Sequence, residues 1–352
     1  MARPGRFPDL ARMSWKNRTL AAISGKGDSW TLSGLSLQHL TGHFCRLYRH
    51  RHYDVRGASG GGVLRGLRAL LAGLVIFAAD PCRANEDSSG TTDFISSWLA
   101  MVERTQAEQP RWITPLATVT PRLEQEFRFD LFSESLTTHG RFNNYGGGKG
   151  IEFIPTERTE VFFGVPPYDT RTSAGGRLLA EGWGDWPVFL VKYRFLSANE
   201  DSGNYVVTGF FQLSAPTGNA AFSNHFYVLQ PTVAFGKGWG DFDVQATVSE
   251  QFPTGGDHTA ESNFGHPVLV NVAAQFHLWD VLWPELEANT TWWPDGTKGG
   301  KVQLFLTPGI IFGRFTIRDR IRLITGVGYQ LSVSPAAPAY RNNVIVTLRT
   351  TF

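Results

Sequence analysis

No run of 18 or more apolar residues occurs in the 352-residue sequence, so no segment can cross a bilayer as a helix. Cysteine is nearly missing. Cys45 and Cys82 are the two, and the chain beyond them has none. That excludes a disulfide scaffold and any cysteine-ligated metal over the last 270 residues. Charged residues are sparse at 18%. There is no His-Glu-x-x-His, no phosphate-binding glycine loop and no calcium loop. The nine histidines are scattered, four of them before residue 85. The sequence therefore implies neither a metal nor a cofactor. What it has in quantity is glycine (38 residues) and aromatics (13%), a composition that suits strands and turns.

One short apolar run, Ala69 to Ala79, is flanked by Arg65 and Arg68 before it and by Cys82-Arg83-Ala84 after it. A basic start, a core of this length and small residues at the −3 and −1 positions of a cut after Ala84 describe a secretory signal peptide over 63–84. Asp80-Pro81 before Cys82 argues against a lipoprotein signal. Residues 1–62 then lie upstream of the expected start, as a misassigned or disordered basic extension. The alternative is a genuine basic cytosolic arm. Residues 1–84 hold 13 Lys/Arg and 4 Asp/Glu, whereas 85–352 hold 20 and 27. The net +2 of the whole chain thus hides an acidic mature protein, and no nucleic-acid partner is expected.

After the signal, 85–121 reads as an N-terminal periplasmic segment. Phe94 to Val102 has near-helical apolar spacing and predicts a short amphipathic helix ending before Pro110, placed on the membrane, in the pore or under the barrel. From Arg122 the chain alternates. Leu123, Phe127, Phe129 and Leu131 oppose Glu124, Glu126, Arg128 and Asp130. Similar segments recur at 159–165, 185–196, 205–215, 226–236, 242–252, 266–278, 284–293, 301–313, 320–333 and 341–352, and Gly150–Ile154 before Pro155 supplies a twelfth. Both ends on one side of a membrane require an even number. The fold class expected is an all-β, membrane-spanning, antiparallel up-and-down barrel of about 12 strands over 122–352. Short turns fall at Pro155, Ser197–Asn204, Gly236–Gly240, Trp279–Trp283 and Phe315–Asp319. Longer loops at 133–148, 166–184, 216–225, 253–265, 294–300 and 334–340 face outside. Trp239, Phe242, Trp279, Trp283, Trp292, Trp293, Phe312, Phe315 and Phe352 read as interfacial girdles. The last strand stops on Phe352, as the strand read by the outer-membrane assembly machinery does in such barrels. Expected partners are the lipid bilayer, that machinery and a small-molecule solute, in a Gram-negative outer membrane.

Candidate lumen or selectivity residues follow from strand parity: Glu124, Glu126, Arg128, Asp130, Arg194, Asn271, Glu285, Glu287, Arg322 and Arg349. Mixed rings of charge allow polar solutes to pass, and they also allow a filled barrel braced by paired charges. Catalytic patterns fail. Gly57-Ala58-Ser59-Gly60-Gly61 has the letters of a nucleophile elbow but no strand–helix context. Ser223-Asn224-His225 lacks the local arrangement of outer-membrane phospholipases. Asp241-Phe242-Asp243 falls at the wrong end of the barrel for a surface protease. No catalytic residue and no enzyme activity are assigned.

Several stretches carry a resemblance: Thr114 to Phe127, Gly150 to Glu160, Gly164-Val165-Pro166-Pro167-Tyr168, Lys192 to Asn204, Gly236 to Gln245, and Leu304 to Gly309. Together they make 110–352 similar to a bacterial family of outer-membrane transporters named for the meta-pathway of phenol degradation. The resemblance implies a barrel more firmly than a substrate, and it carries over no binding residue. The function expected is a channel or transporter for passive passage of small solutes, with aromatic or hydrophobic compounds among them. The alternatives are an outer-membrane enzyme of lipase or protease type and a closed structural barrel.

Overall fold

The computed structural model describes residues 89–147, 150–335 and 337–352. The expected signal peptide and the extension before it lie outside these residues. A helix, α1 (Ser89–Ala107), is followed by an irregular segment and then by strands to the end of the chain.

Sixteen strand pieces make up the staves of one sheet, and the staves alternate direction along the sequence. They are β1 (Glu126–Leu136), β2 (Arg141–Tyr145), β3 (Gly150–Thr156), β4 (Thr159–Gly164), β5 (Tyr168–Thr172), β6 (Leu178–Trp183), β7 (Trp186–Ala198) and β8 (Tyr205–Ala215). Then come β9 (Tyr227–Trp239), β10 (Phe242–Glu250), β11 (Phe252–Thr254), β12 (Val268–Phe276), β13 (Leu282–Trp293), β14 (Lys301–Arg318), β15 (Ile321–Ser332) and β16 (Tyr340–Thr351). Each pairs antiparallel with its neighbours, and β16 pairs back onto β1 from Glu126↔Thr351 to Leu136↔Tyr340. The sheet closes as a 12-stranded barrel, since β2–β3, β4–β5, β6–β7 and β10–β11 are each one stave interrupted.

Alternation explains the closure. In β16, Asn343, Ile345, Thr347 and Arg349 are buried while Val344 and Val346 are exposed. A one-residue slip would turn Arg349 outward and Val346 inward, so the register is fixed by the two faces. Around the barrel the exposed set includes Val191, Phe211, Val233, Val248, Leu286 and Val327. A continuous apolar exterior on a closed sheet is stable in lipid and insoluble in water.

The structure departs from the sequence expectation in four places. The outer segments 133–148 and 166–184 contain β2, β5 and β6, which pair with one another and with the upper half of β1. At five or six residues they are too short to show a period. Gly236 and Gly238 lie inside β9, and the turn comes only at Gly240 (φ 61). Trp283 and Trp293 face the lumen, 2% and 8% exposed, because they share parity with Glu285 and Glu287. Residues 109–121, expected in the periplasm, lie inside the barrel.

Candidate functional site

The lumen is occupied by the chain's own segment 109–125. Gln109 and Leu123 clasp its two ends: the Gln109 amide donates to the Leu123 carbonyl at 2.7 Å and accepts the Leu123 N–H at 2.9 Å. Between them the backbone is extended or irregular, so it cannot satisfy its own polar groups. The barrel wall does so instead. Arg349 donates to the carbonyls of Thr114 and Pro115, Arg128 to that of Leu116 (2.6 Å) and Arg314 to that of Trp112 (2.6 Å). Lys192 donates to the carbonyl of Arg122 (2.7 Å). From β13, Glu285 accepts the Leu116 N–H (3.1 Å), and Glu287 accepts the N–H groups of Ala117 (2.7 Å) and Thr118 (2.6 Å). Cations meet carbonyls and carboxylates meet amides. Each such charge-assisted bond contributes about 1.5–3 kcal/mol net.

Two side chains anchor this plug. Leu116 is fully buried with Ile113, Trp283, Ile311, Ile324 and Ile345. It fills a hollow made by Gly309, Gly326 and Gly328, where an added Cβ would stand 2.5, 2.9 and 2.6 Å from its methyls. Trp112 lies against Gly236 and Gly238 in the same way. Glycine within a strand here marks the close approach of another part of the chain.

Helix α1 crosses the short-turn end of the barrel. Val102 packs on Leu123 and Ile154, and Trp98 donates to the Ile154 carbonyl at 2.8 Å. Arg320 pairs with Glu103 at 2.6 Å. Arg194 holds the helix C-terminus, donating to the carbonyls of Thr105 and Glu157 and pairing with Glu108 at 3.0 Å.

Above the plug the lumen changes character. Asn289, Asn271, Gln330, Asn343, Gln303 and Tyr340 form a chain of uncharged hydrogen bonds, among them Gln330 to Asn289 (3.1 Å) and Asn289 to Asn271 (3.3 Å). Most of the buried charge sits at the plug, and these amides line part of the outer half, alongside Asp169.

The wall is broken on one side. Adjacent staves are interrupted at about one height: Gly146-Gly147 between β2 and β3, Pro166-Pro167 between β4 and β5, and Gly184-Asp185 between β6 and β7. Proline removes ladder donors and glycine permits the positive φ angles of 105° and 54° at Gly146 and Gly147. As a result β1 pairs with β3 through the single pair Phe127↔Ile151. A cavity of about 260 Å³ lies between the plug and this break, lined by Thr114, Val119 and Thr120 from the plug and by Gly147, Asp185 and Pro187 from the break.

The parity-based residues separate clearly. Glu124, Glu126, Arg128, Asp130, Arg194, Glu285, Glu287 and Arg349 are buried inward, and Asn271 is inward and partly exposed. Their partners were not legible, since most serve the plug backbone or one another. Arg128 pairs with Asp130 at 2.8 Å and Arg122 with Glu124 at 2.9 Å. Arg322 is exposed at the short-turn rim, outside this network, because the β14–β15 hairpin continues past the level of the plug. Strand parity also turns Lys192 and Gln245 inward, where they meet the plug; sequence reasoning missed Arg314 and the plug itself. Among the described residues no group of histidine, cysteine and carboxylate side chains is arranged to hold a metal.

No protein-family model matches this chain, and no curated protein matches it. Solved structures similar to it include an outer membrane channel from Pseudomonas putida F1, at 13% identity over 68% of this chain and 98% of that one, with a TM-score of 0.44. Others are OmpT of Vibrio cholerae in its trimer form (10% identity, 65% and 98% coverage, TM-score 0.28) and the channel DcaP of Acinetobacter baumannii (9%, 65% and 96%, 0.28). At these identities and scores, fold and bilayer rest on the strand register and the apolar exterior. The chain is a membrane-spanning β-barrel whose lumen holds its own residues 109–125.

Proposed function

We propose that this barrel is a channel for passive passage of small solutes, including aromatic or otherwise hydrophobic compounds, and that it has no catalytic activity. The observation that carries the reading is the cavity between plug and broken wall. A purely structural barrel has no reason to keep three adjacent staves interrupted at one height. The Asn and Gln amides of the outer half offer hydrogen bonds to neutral polar groups of a solute. From there a solute reaches the cavity, whose apolar side is Val119, Phe162, Pro187 and Leu190. Two exits follow: past the plug when it shifts, or through the weak β1–β3 seam into lipid. The resemblance to transporters of phenol degraders supports aromatic cargo, and the terminal strand ending on Phe352 supports assembly by the outer-membrane machinery.

The test is flux. Protein extracted from the membranes of an expressing Gram-negative bacterium should give discrete conductance steps in planar bilayers and should admit phenol-sized solutes to proteoliposomes. Leu190→Trp, which fills the cavity, should cut solute entry several-fold while the barrel still folds. Neither conductance nor uptake in the unmodified protein would sink the channel reading.

A further inference from the structure

One stretch of the barrel's exterior changes from apolar to polar at a single height. On β1 the outward set runs Phe127, Phe129 and Leu131, then Ser133 and Ser135, while Phe132 on the other face packs with the plug core. On β16 the exposed Val346 and Val344 give way to Asn342, which pairs with Ser135. The row continues across two more strands, since Ser135 pairs with Arg141 and Arg141 with Thr172. Below it on those strands stand Asn143 with Thr170, and then Tyr145 with Tyr168. An apolar wall topped by tyrosines marks the edge of the hydrocarbon.

Arg341 joins the row through a β-bulge. Leu136 pairs with Tyr340 and Ser135 with Asn342, so Arg341 has no partner on β1. Its guanidinium turns to the β1–β2 connection instead, 3.5 Å from His139 Nδ1 and 3.4 Å from the Thr137 carbonyl. Arg141 donates to Ser133 Oγ at 3.4 Å. Both arginines are exposed, both contacts are with neutral groups, and both side chains keep donors to spare. Glu134 follows Ser133 in sequence but shares the lumen parity of Phe132, and Glu181 on β6 shares the outer face only beyond β5. The two arginines and His139 line a hollow of about 360 Å³ with Ser135, Thr172 and Ser173, and no carboxylate lines it.

We infer that this hollow binds the phosphate of a lipid headgroup in the leaflet at the long-loop end, with Arg141 and Arg341 on its oxygens. A guanidinium fork meets two phosphate oxygens at once, and basic hollows at the membrane surface suit such headgroups. A free phosphate would gain only exposed ion pairs, which contribute little in water. A lipid gains more, because its acyl chains lie along the apolar wall of Leu131, Tyr145 and Val346 directly below. The inference rests on the barrel standing in an outer membrane with its long loops outward, and it needs no solute to cross the lumen.

Native mass spectrometry of the detergent-extracted protein tests it, with lipid A, the phosphorylated glycolipid of outer membranes, and lipid A stripped of phosphate as probes. Lipid A should bind about tenfold more tightly than the stripped form, as two exposed charge-assisted contacts provide. Arg141→Ala combined with Arg341→Ala should make the two lipids bind alike, with heat-modifiable migration showing that the barrel folds. Lysine at both positions should keep part of the preference, since the charge stays and the fork is lost. Lys301→Ala, exposed at the other end of the outer rim on β14, should leave it whole. Should the alanine pair fail to fold, glutamine at both positions must abolish the preference instead. Equal binding of the two lipids, an unchanged preference in the double variant, or full displacement of lipid A by inorganic phosphate would overturn the site. Bilayer flux separates the two readings: flux without phosphate preference removes the site alone, and preference without flux removes the channel alone.

Discussion

A single methyl decides whether the plug can sit where it does. Leu116 needs glycine at 309, 326 and 328, and a valine at 328 would place its Cβ 2.6 Å from a Leu116 methyl, well inside contact distance. Overpacking of this kind costs about 1–3 kcal/mol, and the strand cannot yield because it is held on both sides. The plug must yield instead. Gly328→Val should therefore raise single-channel conductance or open time while barrel folding, read by heat-modifiable migration, is unchanged. A quiet channel with intact folding would show that the plug is not the gate. Outside the bilayer, the His266 ring and backbone N–H hold the Asp295 carboxyl below the usual carboxylate range, at 2.8 and 2.6 Å. A depressed folded pKa means that this contact is fully present above the ordinary aspartate pKa and is lost as pH falls through the lowered one. NMR titration should place the Asp295 midpoint below that of aspartate in a peptide, and His266→Ala should return it upward.

At the level of elements, α1 and the plug behave as one unit clasped at Gln109 and Leu123. Arg194 is the tie at the helix end, and its removal leaves the Thr105 and Glu157 carbonyls and Glu108 without that donor. Arg194→Ala should speed amide exchange in Thr105–Glu108 by about tenfold or more with little change in β7, a local opening rather than global loss. The helix itself was legible from Phe94, Trp98, Leu99 and Val102 at helical spacing. Where it lies was not, since its apolar residues suit a membrane surface as well as the leucine and isoleucine it packs on. The strands were legible where one face met lipid, as in β10, β12 and β16. They were illegible in β2, β5 and β6, which at five or six residues are too short to show a period.

For the whole molecule, the β1–β16 ladder completes the wall without using the plug. The parity of inward charges was readable from sequence because lipid forbids them outside. Their purpose was not, because a carbonyl of residues 112–122 leaves no mark in the code. The nearest signal was glycine repeated on the inward face of β9, β14 and β15, and it was taken for turn chemistry in the first of these. With the plug gone, Glu285, Glu287, Arg128 and Arg349 would face water rather than protein, so each keeps a partner and the cost to the barrel is small. Replacing 110–122 with a glycine–serine linker should thus give a barrel that still inserts and still shifts its migration on heating. The lumen left behind is crossed by neither backbone nor helix above α1, and current through it should be steady and larger than in the native protein. If the linker variant inserts but passes no more current than the native chain, the obstruction lies elsewhere, and the outer loops, with α2 (His258–Phe264) among them, become the elements to remove next.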